Sequence, residues 1–194
     1  MTMENILKTL IAKAEAIRAE KGSCLLAIDG RCGSGKSTLA AGLAEQLHCP
    51  VIAMDDFFLR PEQRTPERYA EPGGNVDRER FLQDVLIHLH VGHDAAYRVF
   101  DCQILALTDT VNVPRNQIVV IEGSYSCHPE LRPYYDLTVF LDIDPKEQIE
   151  RIRRRNGEER LEAFRTRWIP LEELYFREMD VEHHCDLVFN VSEQ

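Results

Sequence analysis

The chain has 194 residues, of which 44% are hydrophobic and 29% are charged, and its formal net charge is −10. These values predict one compact domain over residues 1–194, because a chain of this length buries enough apolar surface to fold without disulfides or a structural metal. The acidic excess argues against a nucleic acid as the main partner, since proteins that bind nucleic acids usually carry a basic excess.

The amino-terminal segment predicts an amphipathic helix rather than a signal peptide or a membrane span. Residues 3–20 place apolar side chains at helical spacing, with charged side chains between them. The cysteines are scattered without a Cys-x-x-Cys pair, and Cys185, which follows two histidines, has no second ligand cluster spaced to complete a metal site. We therefore expect reduced thiols and a cytoplasmic protein that does not engage a membrane.

Short apolar runs and helical segments alternate through the first half of the chain. Residues 23–29 form an apolar run without polar alternation, which predicts a central parallel strand that is covered on both faces. A helix is predicted over residues 37–48 and a second strand over residues 49–54. Residues 60–76 contain three prolines and two adjacent glycines, which predict a long ordered loop that covers the substrate side.

The second half continues this alternation. A helix is predicted over residues 77–89, and irregular or short β structure over residues 92–117. The other predicted elements are strands at 117–121, 137–141 and 187–191, a helix at 145–155, and a further helical stretch that reaches residue 179. Strands that alternate with helices predict an α/β fold with a central parallel sheet, here with a small helical lid at about residues 151–170.

Residues 30–37 carry the most specific motif of the chain. They read Gly-Arg-Cys-Gly-Ser-Gly-Lys-Ser, which fits the G-x-x-x-x-G-K-[ST] pattern between a predicted strand and a predicted helix. Its glycines allow successive N–H groups to point inward as a nest for phosphate at the start of the helix. Lys36 is expected to reach the β- and γ-phosphates of ATP, and the Ser37 hydroxyl to ligate Mg²⁺. The residues expected to bind ATP are Gly30, Arg31, Cys32, Gly33, Ser34, Gly35, Lys36, Ser37 and Thr38.

Acidic residues follow three of the predicted strands. Ligands of an open parallel sheet lie beyond the carboxyl ends of its strands, so Asp55 and Glu122 are candidates to take a proton from a substrate hydroxyl or to hold Mg²⁺. For Asp142 and Asp144 the better interpretation is a helix start, because Asp144 precedes Pro145.

A cluster of arginines lies on the predicted helix 145–155. Arg151, Arg154 and Arg155 share one helix face, where mobile guanidinium groups could close over the charge that develops during phosphoryl transfer. The alternative is a solvated face that pairs with nearby glutamates, which is the better interpretation for Arg153. We expect a lid role for at least one of these arginines.

In this order, the motifs resemble the uridine kinase and phosphoribulokinase group of P-loop kinases over about residues 25–170. Uridine kinases have a Gln-Asp-x-Phe-Tyr motif where residues 54–58 read Met-Asp-Asp-Phe-Phe. The resemblance implies a three-layer P-loop kinase fold with Mg²⁺ and ATP, in which Asp55 is the catalytic base and Phe58 lies beside the substrate.

Three further motifs extend the resemblance. Residues 75–77 read Asn-Val-Asp and are similar to a family motif whose acid holds ribose hydroxyls, which implies that Asp77 binds substrate. Residues 100–102 loosely match a Tyr-Asp-Phe motif, and residues 121–123 match a Phe-Glu-Gly motif. The resemblance therefore adds Phe100, Asp101 and Glu122 to the substrate site, Glu122 to the metal site, and Arg151 and Arg155 to the catalytic residues with Lys36.

The departures from the family pattern fall on recognition of the base. Phe100 replaces a tyrosine, and apolar residues near Ile104 replace a histidine. The resemblance thus implies a kinase for a hydroxyl group of a small metabolite, first a uridine- or cytidine-like nucleoside. Nicotinamide riboside, pantothenate, glycerate and sugars remain open. Trp168 could line the pocket, but such residues are more often core or subunit contacts, so a homo-oligomer is also open.

A rival class is a nucleotide-dependent regulator that transfers nothing to a metabolite. The phosphate loop alone fits both classes. The sequence has no Asn-Lys-x-Asp guanine motif and no Asp-x-x-Gly after a core strand, and both absences favour the kinase.

Overall fold

Parallel strands form the central sheet of the computed structural model, which describes residues 2–115 and 118–192. The strands are β1 Cys24–Gly30, β2 Val51–Ala53, β3 Ala95–Asp101, β4 Ala106–Val113, β5 Ile118–Glu122, β6 Leu137–Asp142 and β7 Leu187–Asn190. Five of them form one sheet in the order β2-β5-β1-β6-β7, and all its pairings are parallel. The predicted parallel sheet is therefore confirmed, although residue 117 of the predicted strand 117–121 lies outside the described residues.

Strand β1 lies at the centre of the sheet, and every one of its residues is buried. It pairs with β5 on one side and with β6 on the other. One apolar cluster covers one face of the sheet through Leu10 and Leu43, and a second cluster covers the other face through Phe81 and Tyr175. A strand buried on both faces has no need for polar alternation, which is why the sequence pattern identified it.

The helices form the two outer layers. They are α1 Met3–Lys21, α2 Lys36–Leu47, α3 Pro66–Ala70, α4 Arg78–Phe81, α5 Ile87–His90, α6 Pro145–Asn156, α7 Glu158–Ala163, α8 Ile169–Glu178 and α9 Val181–His184. A π-helical stretch, Leu82–Leu86, joins α4 to α5, and another, Phe164–Trp168, joins α7 to α8. Helix α6 begins at Pro145 because the Asp144 side chain accepts the N–H groups of the first turn. None of the described helices combines the length and apolar character needed to cross a bilayer.

Two segments are more regular than the sequence predicts. Residues 60–76 contain a 3₁₀ turn, Pro61–Gln63, and the short helix α3, which begins after the capping Thr65 side chain. Residues 95–113 form an antiparallel hairpin of β3 and β4 outside the main sheet. Only β3 alternates clearly between buried and exposed residues, so the sequence signal for the second strand is weak.

The end of β1 is closed by a backbone contact that only glycine allows. Gly30 has φ +132°, and a Cβ atom at this position would lie 2.2 Å from the backbone oxygen of Leu141. The backbone of β1 therefore approaches β6 closely where the phosphate loop begins.

We predict that Gly30→Ala lowers the free energy of unfolding by at least about 3 kcal/mol, because it adds a backbone clash to an unfavourable φ. Gly22→Ala is the matched control, since Gly22 also has positive φ (+87°) but has no atom within 4 Å of the added Cβ. The Gly22→Ala substitution should lower the free energy of unfolding by only about 1 to 2 kcal/mol. Urea unfolding of both variants measures the difference, and equal losses would contradict the assignment of this contact.

Candidate active site

A cavity of about 430 Å³ lies beyond the carboxyl ends of β1, β2 and β5. This volume is typical of sites for small molecules, and the position is the one at which open parallel sheets bind ligands. The predicted site residues that line it are Cys32, Gly33, Gly35, Lys36, Ser37, Thr38, Asp55, Phe58, Glu122, Arg151 and Arg155. Segments that are far apart in the sequence therefore meet at one site.

The phosphate loop forms one wall of the cavity. Gly33 and Gly35 adopt positive φ, and helix α2 begins immediately after them at Lys36. The Lys36 ammonium donates to the carbonyl oxygens of Gly30 and Arg31, at 2.6 and 3.0 Å. The loop thus directs a helix N-terminus and the largely buried Lys36 cation towards one space, which is the arrangement that binds phosphate.

Arg31 belongs to the loop, but its guanidinium does not line the cavity. It lies over the rings of Phe140 and Phe176, and its Nε donates to the Glu173 carboxylate at 2.7 Å. The opposite charge on Asp142 also faces it. The side chain therefore fastens the loop to the sheet and to α8 and leaves the cavity to its neighbours.

Ser37 and Glu122 form the part of the cavity that fits a metal ion. The Ser37 hydroxyl donates to the Glu122 carboxylate at 3.2 Å. Burial raises the pKa of Glu122, and Asp55 and Asp56 add to this effect, whereas Lys36 and Ser37 oppose it. A hydroxyl and a carboxylate beside a phosphate nest suit Mg²⁺, which takes oxygen ligands and usually one or two from the protein. No group of three or more His, Cys, Asp or Glu side chains in the described ranges could hold a metal by itself.

Asp55 lines the same cavity from the 3₁₀ turn Met54–Phe57 that follows β2. Burial raises the pKa of its carboxyl, and the neighbouring Asp56 adds to the rise, whereas Lys36 and Arg155 oppose it. Both cations are therefore close enough to Asp55 to act on its charge. A carboxylate whose pKa is raised towards the working pH is suited to accept a proton.

The lid arginines approach the loop from α6. An Nη1 atom of Arg151 donates to the Gly33 carbonyl at 3.4 Å, and the same side chain pairs with Glu147. Arg155 lines the cavity, whereas Arg154, on the same predicted face, is exposed and does not. Arg153 pairs with glutamates on the outer face of the helix.

Three predicted substrate residues lie away from this cavity. Asp77 is buried, and its carboxylate caps α4 by accepting the Arg80 N–H at 3.2 Å. Phe100 is buried under the Arg64 guanidinium. Asp101 accepts the Gln103 N–H at 2.6 Å in the turn of the hairpin. The structure does not bring these three side chains to the phosphate loop.

Sequence reasoning missed Asp29, the last acid of β1. Its carboxylate is fully buried and accepts four donors, namely the N–H groups of Gly30, Tyr125 and Cys127 and the Tyr175 hydroxyl. Burial raises its pKa to about 6, although these donors and Lys36 oppose the rise. The signal was an acid at the end of a wholly apolar strand, directly before the first glycine of the loop.

Glu172 is another residue that the sequence did not indicate. It lines the cavity from α8, and its Oε2 accepts the Cys32 N–H at 3.0 Å. No local pattern could have found it, because 140 residues separate the two partners.

The fold and the loop define a P-loop protein. The model of the AAA domain family matches residues 26–169, and the chain belongs to this family. The structure is similar to that of a possible uridine kinase from Bacillus stearothermophilus, with a TM-score of 0.73 and 24% identity over 97% of this chain and 100% of that chain. This likeness confirms the predicted three-layer P-loop kinase fold.

Two curated relatives are also kinases by name. A cytidylate kinase from Pyrobaculum arsenaticum is 24% identical over 149 residues, which are 73% of this chain and 65% of the relative. A probable thymidylate kinase from Pyrobaculum aerophilum is 28% identical over 149 residues, which are 71% of this chain and 73% of the relative. The chain thus spans less than two thirds of the cytidylate kinase that it matches.

We predict that ionisation of Asp29 makes folding stability depend on pH. An acid with a pKa of 3.8 when unfolded and about 6 when folded binds more protons in the folded state between these values, so stability falls as the pH rises through this window. From about pH 4.5 to about pH 7 the loss from this group should be about 2 kcal/mol. The Asp29→Asn protein should lack this loss of stability, and urea unfolding of both proteins at the two pH values measures the difference. Groups present in both proteins cancel, and an identical pH dependence would contradict the assignment.

Proposed function

We propose that the chain is a kinase that transfers the γ-phosphoryl group of ATP to a hydroxyl group of a small metabolite without a phosphate, most simply a nucleoside. The observation that carries this proposal is that Asp55 shares one cavity with Lys36 and Ser37 of the phosphate loop. A loop that only binds nucleotide has no need of such a base, whereas a loop that hydrolyses nucleotide would direct it at water, so the acceptor panel below separates transfer from hydrolysis. The names of the relatives support phosphoryl transfer alone, because two of them, a cytidylate kinase and a probable thymidylate kinase, are named for nucleotide acceptors.

In this reaction each side chain has a distinct task. Asp55 accepts the proton of the acceptor hydroxyl as its oxygen attacks the γ-phosphorus, and ADP leaves. Lys36 stabilises the charge on the β- and γ-phosphates, and Arg151 and Arg155 close over the transferred group. The Ser37 hydroxyl and the Glu122 carboxylate would hold Mg²⁺, which when bound neutralises phosphate charge.

The lining of the cavity favours an acceptor without a phosphate. Away from the loop its lining includes Phe58, Asn75, Tyr125 and Trp168. Among the described residues that line it, the cations are Lys36, Arg151 and Arg155, and all of them serve the phosphates of ATP in this proposal. A phosphate group on the acceptor would need cations in addition to those that hold ATP, whereas aromatic and amide groups suit a neutral riboside, sugar or vitamin.

We predict that Asp55→Asn lowers kcat by roughly 10²- to 10⁴-fold, because the amide cannot accept the proton, while Mg-ATP binding is kept. Asp56→Asn is the matched control, since Asp56 accepts the Tyr97 hydroxyl at 2.8 Å and does not line the cavity. Steady-state assays and calorimetric titration with Mg-ATP measure the two effects. Undiminished turnover in Asp55→Asn would remove Asp55 from the mechanism.

We predict that neutral hydroxyl compounds accelerate ADP production and that nucleoside monophosphates do not. The panel contains nucleosides, ribosides, sugars and vitamins, each assayed with Mg-ATP and with the Lys36→Ala protein as the control for contaminating kinases. A monophosphate as the best acceptor would contradict the argument from the lining. If no compound accelerated ATP consumption, a nucleotide-dependent regulator would replace the kinase proposal.

A further inference from the structure

The carboxylate of Glu172 lies on the phosphate loop itself. Its Oε2 accepts the backbone N–H of Cys32 at 3.0 Å, and its Oε1 accepts the Ser124 hydroxyl at 2.7 Å. The side chain is only 6% exposed, and it borders the same cavity as Lys36. One carboxylate thus joins the phosphate loop to the turn after β5.

This contact is part of a longer attachment of α8 to the loop. Tyr175 donates to Asp29 at 2.8 Å, and Glu173 accepts from the Arg31 guanidinium. With Glu172 on Cys32, side chains within one turn of α8 reach three of the four residues from 29 to 32. Helix α8 continues without a break from the π-helical stretch Phe164–Trp168. Phe164 and Trp168 of that stretch line the cavity.

The charge of Glu172 is not neutralised by a neighbouring cation. No ion pair with Glu172 is found among the described residues, and its two oxygens accept a backbone N–H group and a hydroxyl. Burial raises the pKa of the Cys32 thiol, and the Glu172 carboxylate is the next largest cause of that rise, so its negative charge acts directly on the loop. A nest of N–H groups binds anions, and here the protein itself supplies an anion, the Glu172 carboxylate.

We infer that Glu172 is a positioning residue of the nucleotide site, where its carboxylate competes with the phosphates for the loop. Phosphate binding opposes the Glu172 charge and weakens the Cys32 contact, which is one of the three contacts that hold α8 to the loop. Nucleotide binding and the attachment of α8 are thereby linked, and removal of the competing charge strengthens nucleotide binding. The inference rests on the nucleotide site of the proposed function, but not on the acceptor.

Glu172→Gln tests the charge while it keeps the shape. The amide oxygen still accepts the Cys32 N–H, and the amide NH₂ donates to the Ser124 oxygen. The Ser124 proton then turns to the Gly30 carbonyl, which lies 3.2 Å from its oxygen. The variant therefore retains its hydrogen bonds and its packing, so it should fold as the parent does.

The experiment is a calorimetric titration with Mg-ADP and with a non-hydrolysable Mg-ATP analogue, without any acceptor. Glu172→Gln should bind the ATP analogue at least about 5-fold more tightly than the parent. Glu178→Gln is the matched control, because it removes the same charge from an exposed side chain of α8 that pairs with Arg177 and neither contacts the loop nor lines the cavity. Its affinity should change by less than about 2-fold. Glu172→Asp keeps the charge and should not tighten binding.

The outcomes separate this inference from the proposed function. A merely structural role for Glu172 predicts weaker or unchanged binding in Glu172→Gln, and either result overturns the inference. Equal tightening in the Gln and Asp variants, or in Glu178→Gln, also overturns it, because the effect would not come from the charge at this position. If Lys36→Ala bound nucleotide as the parent does, the loop would not be the nucleotide site, and both the inference and the proposed function would fall.

Discussion

Asp29 holds the centre of the site together. Its buried carboxylate at the end of β1 accepts donors from the phosphate loop, from the turn after β5 and from Tyr175 of α8. Burying a carboxylate is unfavourable unless hydrogen bonds replace its water shell, and these four donors provide that replacement. The start of the loop, the position of Glu122 beside Ser37 and the docking of α8 all depend on this one group.

The attachment of α8 gives the phosphate loop an unusual neighbour. The helix that continues from the predicted lid also places Glu172 on the loop, so one continuous helical stretch connects the two regions. If this acidic chain binds a triphosphate as we propose, the local balance of Lys36, Arg151, Arg155 and Mg²⁺ against Glu172 sets how strongly it binds.

The sequence predicts most of the fold and about half of the site, and the division has a physical reason. Apolar runs and the glycine pattern are local, so the central strands, the phosphate loop, Asp55 and Glu122 could be located from the sequence. The roles of Asp29 and Glu172 depend on partners that only the folded chain brings near, 146 residues away for Asp29 and Tyr175.

Three residues that the family motifs imply for the substrate site do not line the cavity, although Asp55, Phe58 and Glu122, which match the same kind of motif, do. Asp77, Phe100 and Asp101 occupy the matching sequence positions, yet the structure uses them for a helix cap, for packing and for a turn. A motif fixes the order of residues, but the path of the hairpin and of the loop at 60–76 decides which side chains reach the cavity. Arg31 shows the same limit, because its backbone belongs to the loop while its side chain faces α8.

The most direct measurement is a crystal structure of the chain with Mg²⁺ and a non-hydrolysable ATP analogue. The account predicts phosphates on the N–H groups of the loop, the metal between Ser37 and Glu122, and the Asp55 carboxylate facing the γ-phosphate across a space that fits an acceptor hydroxyl. A nucleotide bound elsewhere, or an Asp55 side chain turned away from the γ-phosphate, would contradict it.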